Sequence, residues 1–219
     1  MTDLGRTLHT YFRSSASYRV RIALNLKGLD AKHVPVHLSR VGGEQFRPEF
    51  RALNPQSLVP VFADGPLVLT QSLAILEYLD ERHPAPPLLP ASIEGRARAR
   101  QIALAVACDI HPLNNLRVLK YLTGALQLAE ASKSAWALHW IGLGLEAIET
   151  QVRETYVPGE FCIGSRPTIA DCCLVPQLFN ARRFSVDLAP YPTLLAIDDA
   201  CQRLPAFVDA HPDRQPDAE

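Results

Sequence analysis

The run Pro84-Ala85-Pro86-Pro87-Leu88-Leu89-Pro90 constrains the fold more than any other stretch, because so many prolines can neither continue a helix nor join the interior of a sheet. It reads as a stiff linker of polyproline type. The residues before it mix strand-like and helix-like runs, whereas the residues after it keep a helical period almost throughout. Two domains are expected, residues 1–83 and 93–219, joined by a Pro-rich linker over 84–92. With 219 residues, 47% of them hydrophobic, the chain can bury a proper core.

In the first part, residues 7–12 read as a strand, 20–29 as a helix with apolar residues on more than one side, and 32–38 as a second strand. A parallel β-α-β unit with a right-handed crossover follows. Residues 44–53 suit a short helix that Asn54-Pro55 ends. Residues 57–62 and 67–69 flank a turn at Ala63-Asp64-Gly65-Pro66 and read as a hairpin. Pro60 belongs at the start of its strand, since it cannot donate to a ladder, and a cis peptide after Val59 suits it there. A helix over 73–82 takes Ser72 as its N-cap. The order βαβαββα, with a proline opening the third strand, resembles the thioredoxin fold. Beyond the linker the period predicts helices over 93–126, 134–155, 168–184, 193–203 and 206–210, with Pro112 kinking the first. Thr168-Ile169-Ala170-Asp171 has capping-box spacing and reads as a structural start to a buried helix.

The stretch Tyr11-Phe12-Arg13-Ser14-Ser15-Ala16-Ser17-Tyr18-Arg19 runs from a strand through a polar turn into a helix. A helix start carries unpartnered N–H groups and partial positive charge, so Ser14 to Ser17 can present donors to an anion such as a thiolate. The plainer alternative is that Ser14 or Ser15 only caps the helix. A net charge of −1 with scattered basic residues gives no general attraction for nucleic acid or membrane. Five cysteines, without C-x-x-C spacing, fit a reducing compartment, and the cytoplasm is the expectation. The seven histidines show no metal-ligand spacing, so no metal is assigned. The start Met1-Thr2-Asp3-Leu4-Gly5-Arg6 lacks the apolar region of a signal peptide, and no apolar run is long enough to span a membrane.

Ser14-Ser15-Ala16-Ser17-Tyr18-Arg19-Val20-Arg21-Ile22-Ala23-Leu24, Asn54-Pro55…Val59-Pro60, Gln71-Ser72-Leu73-Ala74-Ile75, Asp109-Ile110-His111-Pro112-Leu113-Asn114-Asn115 and Thr168-Ile169-Ala170-Asp171 together resemble the zeta class of soluble glutathione transferases. The resemblance extends over nearly the whole chain. It implies a thioredoxin-like N-terminal domain, an all-helical C-terminal domain, glutathione as cofactor and a homodimer. It also implies that Ser14 points its hydroxyl at the glutathione sulfur, with Ser15 beside it. A main-chain edge at Val59-Pro60 would pair with the cysteinyl backbone. Gln71 and Ser72 would hold the γ-glutamyl carboxylate at a helix start, and Gln45 the glycyl carboxylate. His111 and Asn115 complete the glutathione set. Plain capping remains the alternative for Ser72, and a solvated helix face for Gln45.

The implied reaction is a cis-to-trans isomerisation of a maleyl keto acid, in which the thiolate adds, the bond rotates and glutathione leaves. Guanidiniums grip carboxylates with two parallel bonds, so Arg13, Arg117 and Arg183 are the candidate substrate grips, Arg183 with a catalytic part as well. For Arg117 and Arg183 a solvated face is the alternative. Asn114 with Arg117, and His111 with Asn115, have the spacing of neighbours on one helix side. Arg19 and Arg21 read as structural ion pairs. Ala16 stands where family members often carry Cys, so only glutathione can be the sulfur nucleophile. Three functions stay open: an isomerase of the maleylacetoacetate type in tyrosine breakdown, one acting on maleylpyruvate, and a non-catalytic glutathione-fold binding protein.

Overall fold

The strand Arg6–Thr10 (β1) lies inside a four-stranded sheet of the computed structural model, which describes residues 5–219. Its partners are Lys32–Pro35 (β2), parallel, and Val61–Asp64 (β3), antiparallel, and β3 pairs in turn with Leu67–Thr70 (β4). The order is β2-β1-β3-β4. Leu8 opposite Phe62 puts two fully buried apolar side chains at the sheet's centre. The helices are Ser15–Lys27 (α1), Pro48–Leu53 (α2) and Ser72–Arg82 (α3). Tyr18, Val20 and Ile22 of α1 and Ile75, Leu76 and Leu79 of α3 are sealed from water with the sheet's core. This is the thioredoxin-like arrangement that the sequence predicts.

Several boundaries move, each for a local reason. Helix α1 begins five residues before the predicted Val20, because Ser14 caps it. It ends at Gly28, where φ is 63°, and Leu29 N–H reaches the Leu24 carbonyl while Gly28 N–H reaches Asn25, a Schellman closure. Strand β2 stops at Pro35 rather than residue 38, since His37 N–H is taken by the Glu44 carboxylate. The helix expected over 44–53 breaks at Arg47, whose ψ of 144° is the extended conformation that a following proline favours. Pro48 then occupies the first turn of α2. Pairing of β3 begins at Val61, after a cis Val59–Pro60 peptide, and residues 54–58 form a turn that the Asn54 side chain holds through Leu58 O and Gln56 N–H.

The second unit holds Ile93–Leu104 (α4), Leu116–Thr123 (α5), Glu130–Arg153 (α6), Ile169–Arg183 (α7) and Pro192–Gln202 (α8). The single helix expected over 93–126 is instead α4, a wide π turn at Ala105–Ile110, a 3-10 turn at His111–Asn114 that contains Pro112, and α5. Helix α7 starts with the predicted capping box: Asp171 accepts from Thr168 N–H at 2.7 Å and from Cys162 N–H at 2.8 Å.

The domain boundary differs most at the C-terminal side. Compact packing ends the first unit at Leu88, gives Leu89–Cys201 to the second, and returns Gln202–Glu219, including Pro205–Ala210 (α9), to the first. The sequence predicts a helical domain that runs to residue 219. The reason lies in α1: buried Arg21 donates to the Ala210 carbonyl at 3.0 Å, and Asn25 donates to Ala206. The proline-rich segment is also stapled to the first unit. Buried Lys27 donates to Asp80, to the His83 carbonyl and to the Pro86 carbonyl, at 2.5, 2.7 and 2.6 Å. Among the described residues no helix is long and apolar enough to cross a membrane.

Candidate active site

Ser14 precedes α1 with extended backbone, and its Oγ accepts from Ser17 N–H at 3.2 Å. A hydroxyl holds one donor and two acceptor sites, so this cap leaves the Ser14 hydrogen available to donate. Capping and anion binding are therefore compatible in one side chain. Of the three serines here, Ser15 and Ser17 are buried and only Ser14 is half-exposed. Ser15 and Ala16 add the first-turn N–H groups that a helix cannot satisfy itself. Together they make a donor cluster suited to one small anion.

The turn leading into this cluster is pinned on both sides. Ser14 N–H donates to the Tyr11 carbonyl at 3.0 Å, and the Arg21 guanidinium donates to Phe12 O at 3.0 Å and to Thr10 Oγ1 at 3.1 Å. Arg21 is thus a staple for carbonyls and a hydroxyl, where an ion pair had been expected. Burial pulls its pKa down to about 10, opposed by Tyr18 and Asp217, so it stays a cation near neutrality. Arg13 is exposed, its guanidinium 5.0 Å from the centre of the Phe12 ring.

Gln71, not Ser72, is the N-cap of α3, and it makes no side-chain capping bond. Its φ of 69° is a left-handed backbone that glutamine adopts only under constraint. Its Nε2 donates to Gln56 Oε1 at 2.9 Å. Ser72 is the first helical residue, and its Oγ accepts from the Arg19 guanidinium at 3.1 Å, which ties the first turn of α3 to α1. Arg19 therefore also bonds a hydroxyl. Val59 and Pro60 lie just outside the paired register. Gln45 lies in a 3-10 turn and is buried, which removes the solvated-face alternative. Its Nε2 donates to Leu38 O at 3.3 Å, and its Oε1 is buried with no hydrogen-bond partner among the described residues.

In the second unit His111 opens the 3-10 turn that follows the π turn, and Asn115 caps α5 by accepting from Arg117 N–H at 3.1 Å. The break means that His111 with Asn115, and Asn114 with Arg117, do not share one continuous helix, contrary to the spacing argument. Wide π turns recur at functional positions because they re-aim the residues that follow. Arg117 is exposed; Arg183 is exposed at the end of α7. Cys162 is no rival nucleophile, because burial and the neighbouring Asp171 push its pKa well up. Among the described residues no group of three or more potential ligands could hold a metal.

Arg21 and Arg19 are framework residues, the structural part that the sequence predicts for them, with carbonyls and hydroxyls among their partners. The usable signal was two arginines, at alternate positions, in a helix with apolar residues on more than one side: such groups must find acceptors, and the nearest are carbonyls and hydroxyls at tight turns.

Comparison with known proteins adds three findings. The family model for the "Glutathione S-transferase, N-terminal domain" matches residues 8–87. A "Probable maleylacetoacetate isomerase" of Vibrio cholerae is 52% identical over 211 residues, covering 96% of this chain and 97% of the relative. Among solved structures, a holo maleyl pyruvate isomerase, described as a bacterial zeta-class glutathione-s-transferase, is 47% identical with a TM-score of 0.94, over 97% of this chain and 100% of that one. The maleylacetoacetate isomerase of Anaeromyxobacter dehalogenans with GSH bound in its active site is also 47% identical, with a TM-score of 0.86, over 98% of this chain and 99% of that one.

Proposed function

This chain belongs to the zeta class of soluble glutathione transferases, the maleylacetoacetate isomerase family, and from that membership we propose that it is a glutathione-dependent cis-trans isomerase converting maleylacetoacetate to fumarylacetoacetate. One observation carries the reading: Ser14 caps α1 through an acceptor lone pair and so retains a hydroxyl hydrogen at a helix start. The rest of the first unit fits an anionic tripeptide. The Ser72 hydroxyl accepts from Arg19 and likewise keeps its own hydrogen, at the first turn of α3 where a carboxylate is favoured. Gln45 brings an unused acceptor and a second amide hydrogen.

When bound, glutathione supplies a thiolate that adds to the cis double bond, permits rotation about it and departs unconsumed. Ser14 donates its hydroxyl hydrogen to the sulfur, and Ser15 contributes its main-chain N–H, so that the charged form is favoured at neutral pH. Gln71 and Ser72 hold the γ-glutamyl carboxylate, the Val59-Pro60 main chain holds the cysteinyl backbone, and Gln45, His111 and Asn115 complete the grip. Arg13, Arg117 and Arg183 bind the substrate carboxylates, and Arg183 offsets charge that develops on the keto acid.

The 47% identity and TM-score of 0.94 to a maleyl pyruvate isomerase favour a second reading, the same chemistry on maleylpyruvate. Ultraviolet assays of maleylacetone and maleylpyruvate, each with and without glutathione, decide between them by kcat/KM. Strict glutathione dependence and loss of rate in Arg183→Ala are expected; turnover of neither substrate would leave only a non-catalytic glutathione-binding role. The same reading makes the protein a cytoplasmic homodimer. Five cysteines, none of them in a disulfide, and the exposed Val41 and Phe46 around the Glu44–Phe46 turn support it, and sedimentation equilibrium tests the dimer.

A further inference from the structure

The sequence motif His211-Pro212-Asp213-Arg214-Gln215-Pro216-Asp217 has no part in the chemistry above, yet it folds back onto the turn that carries Ser14. Phe12 N–H donates to Asp217 Oδ2 at 3.0 Å. Along the same stretch, Arg21 holds the Phe12 carbonyl at 3.0 Å and the Tyr11 carbonyl at 3.4 Å. We propose that Asp217 is a positioning residue for the sulfur site: its carboxylate fixes the Phe12 amide, and so the place from which Ser14 presents its hydroxyl. This rests on the reading of Ser14 as the thiolate donor.

The segment that carries Asp217 is itself held. The Gln215 side chain is buried and donates to Asp209 O at 2.9 Å and to His211 O at 3.0 Å, while the His211 ring meets Tyr18 edge-on at 6.1 Å. The segment therefore reaches Phe12 as a folded piece, with its own backbone turned by internal bonds. Two residues further on, the Glu219 carboxylate meets His37 Nε2 at 3.2 Å and also Arg40, in the stretch that leads to Gln45. One segment thus touches both loops assigned to glutathione.

The coupling from Asp217 to Ser14 is short and stiff. Ser14 N–H closes a turn onto Tyr11 O, so Phe12 and Arg13 are the two residues inside that turn, and a tilt of the Phe12 peptide moves Ser14 with it. A water molecule could satisfy the Phe12 amide, since Asp217 is only half-buried, but water would not fix the direction of the peptide. A carboxylate carried on a folded segment does, and a misplaced donor loses much of a charge-assisted bond to sulfur.

The test uses the full chain and three forms: wild type, Asp217→Ala, which removes the acceptor, and Asp217→Asn, which keeps an oxygen for the Phe12 amide. Thiolate absorbance of bound glutathione, titrated against pH, gives the thiol pKa, and isomerase kinetics give kcat/KM across the same range. Asp217→Ala is expected to raise the bound thiol pKa by about one unit and to lower kcat/KM about tenfold near neutrality, with recovery at alkaline pH. Asp217→Asn is expected to restore most of both. In the wild type, glutathione is expected to slow hydrogen exchange at the Phe12 amide, a measurement that needs no variant.

An Asp217→Ala protein that melts earlier but titrates and turns over like the wild type overturns the proposal, as does exchange at Phe12 that ignores glutathione. Asparagine failing as badly as alanine overturns it too. Wild-type protein that shows no glutathione titration at all overturns the functional reading, and this inference falls with it. A wild type that titrates beside an indistinguishable Asp217→Ala overturns this inference alone.

Discussion

Replacing Ser14 by alanine removes two hydrogen bonds of different kinds, and they can be measured apart. The first is the cap, Ser14 Oγ accepting from Ser17 N–H at 3.2 Å. Its loss costs about 1 kcal/mol of stability, or about 2–4 °C in melting temperature for a chain of this size. The second is the bond from the hydroxyl to the glutathione sulfur, charge-assisted and worth about 1.5–3 kcal/mol. That energy lowers a thiol pKa of about 8.5 by roughly one to two units, because it favours only the ionised form. In Ser14→Ala the pKa returns towards the free value, and the thiolate fraction at about pH 7 falls about 8- to 25-fold. The sign fixes the pH dependence: the defect is greatest below the free-thiol pKa and shrinks as pH rises through it. Stopped-flow isomerisation of maleylacetone across about pH 6 to 9.5, with melting curves on the same samples, reads both effects. Ser14→Thr keeps cap and hydroxyl and should recover both. A rate defect that stays constant across the pH range, or a melting shift with no rate defect, would refute the assignment of the hydroxyl to the sulfur.

Lys27→Met should lower stability to denaturant by about 2–3 kcal/mol, since it removes the buried ammonium that half-buried Asp80 and the carbonyls of His83 and Pro86 share, and a loss under about 1 kcal/mol would contradict the staple. Cys162 carries a pKa raised by burial and by Asp171, so its stability contribution is present below the unfolded thiol value of about 8.5 and is lost as pH rises towards the folded one. Cys162→Ala should therefore flatten the loss of stability between about pH 8 and 10, and parallel urea midpoints for the two proteins over that range would disprove it.

Local signals in the chain were enough for the order of elements in the first unit, the hairpin, the cis proline and the capping box, because each depends on residues a few positions apart. What escaped them depends on partners far along the chain. Helix α1 starts at Ser15 although the apolar period begins at Val20, since a serine cap and buried arginines extend it into a polar stretch. Gln71 displaces Ser72 as cap because Ser72 is drawn into the helix by Arg19, and that bond spans 53 positions. The π turn before His111 has no periodic signature, although Gly144 marks it: a Cβ there would sit 2.3 Å from Ile110. Within the candidate site, residue types around Ser14, Gln71 and Gln45 were legible, whereas the hold of Arg21 and Asp217 on the turn was not.

The acceptors of Arg21 come from Thr10, Tyr11 and Phe12 close by and, 189 positions along the chain, from Ala210. A guanidinium with a folded pKa of about 10 cannot be desolvated cheaply before all of them arrive. During synthesis, then, the sheet-bearing unit keeps its first helix partly wet while the helical unit Leu89–Cys201 is made. It can close only once Ala210 has been added, and cellular chaperones should meet it in that open form.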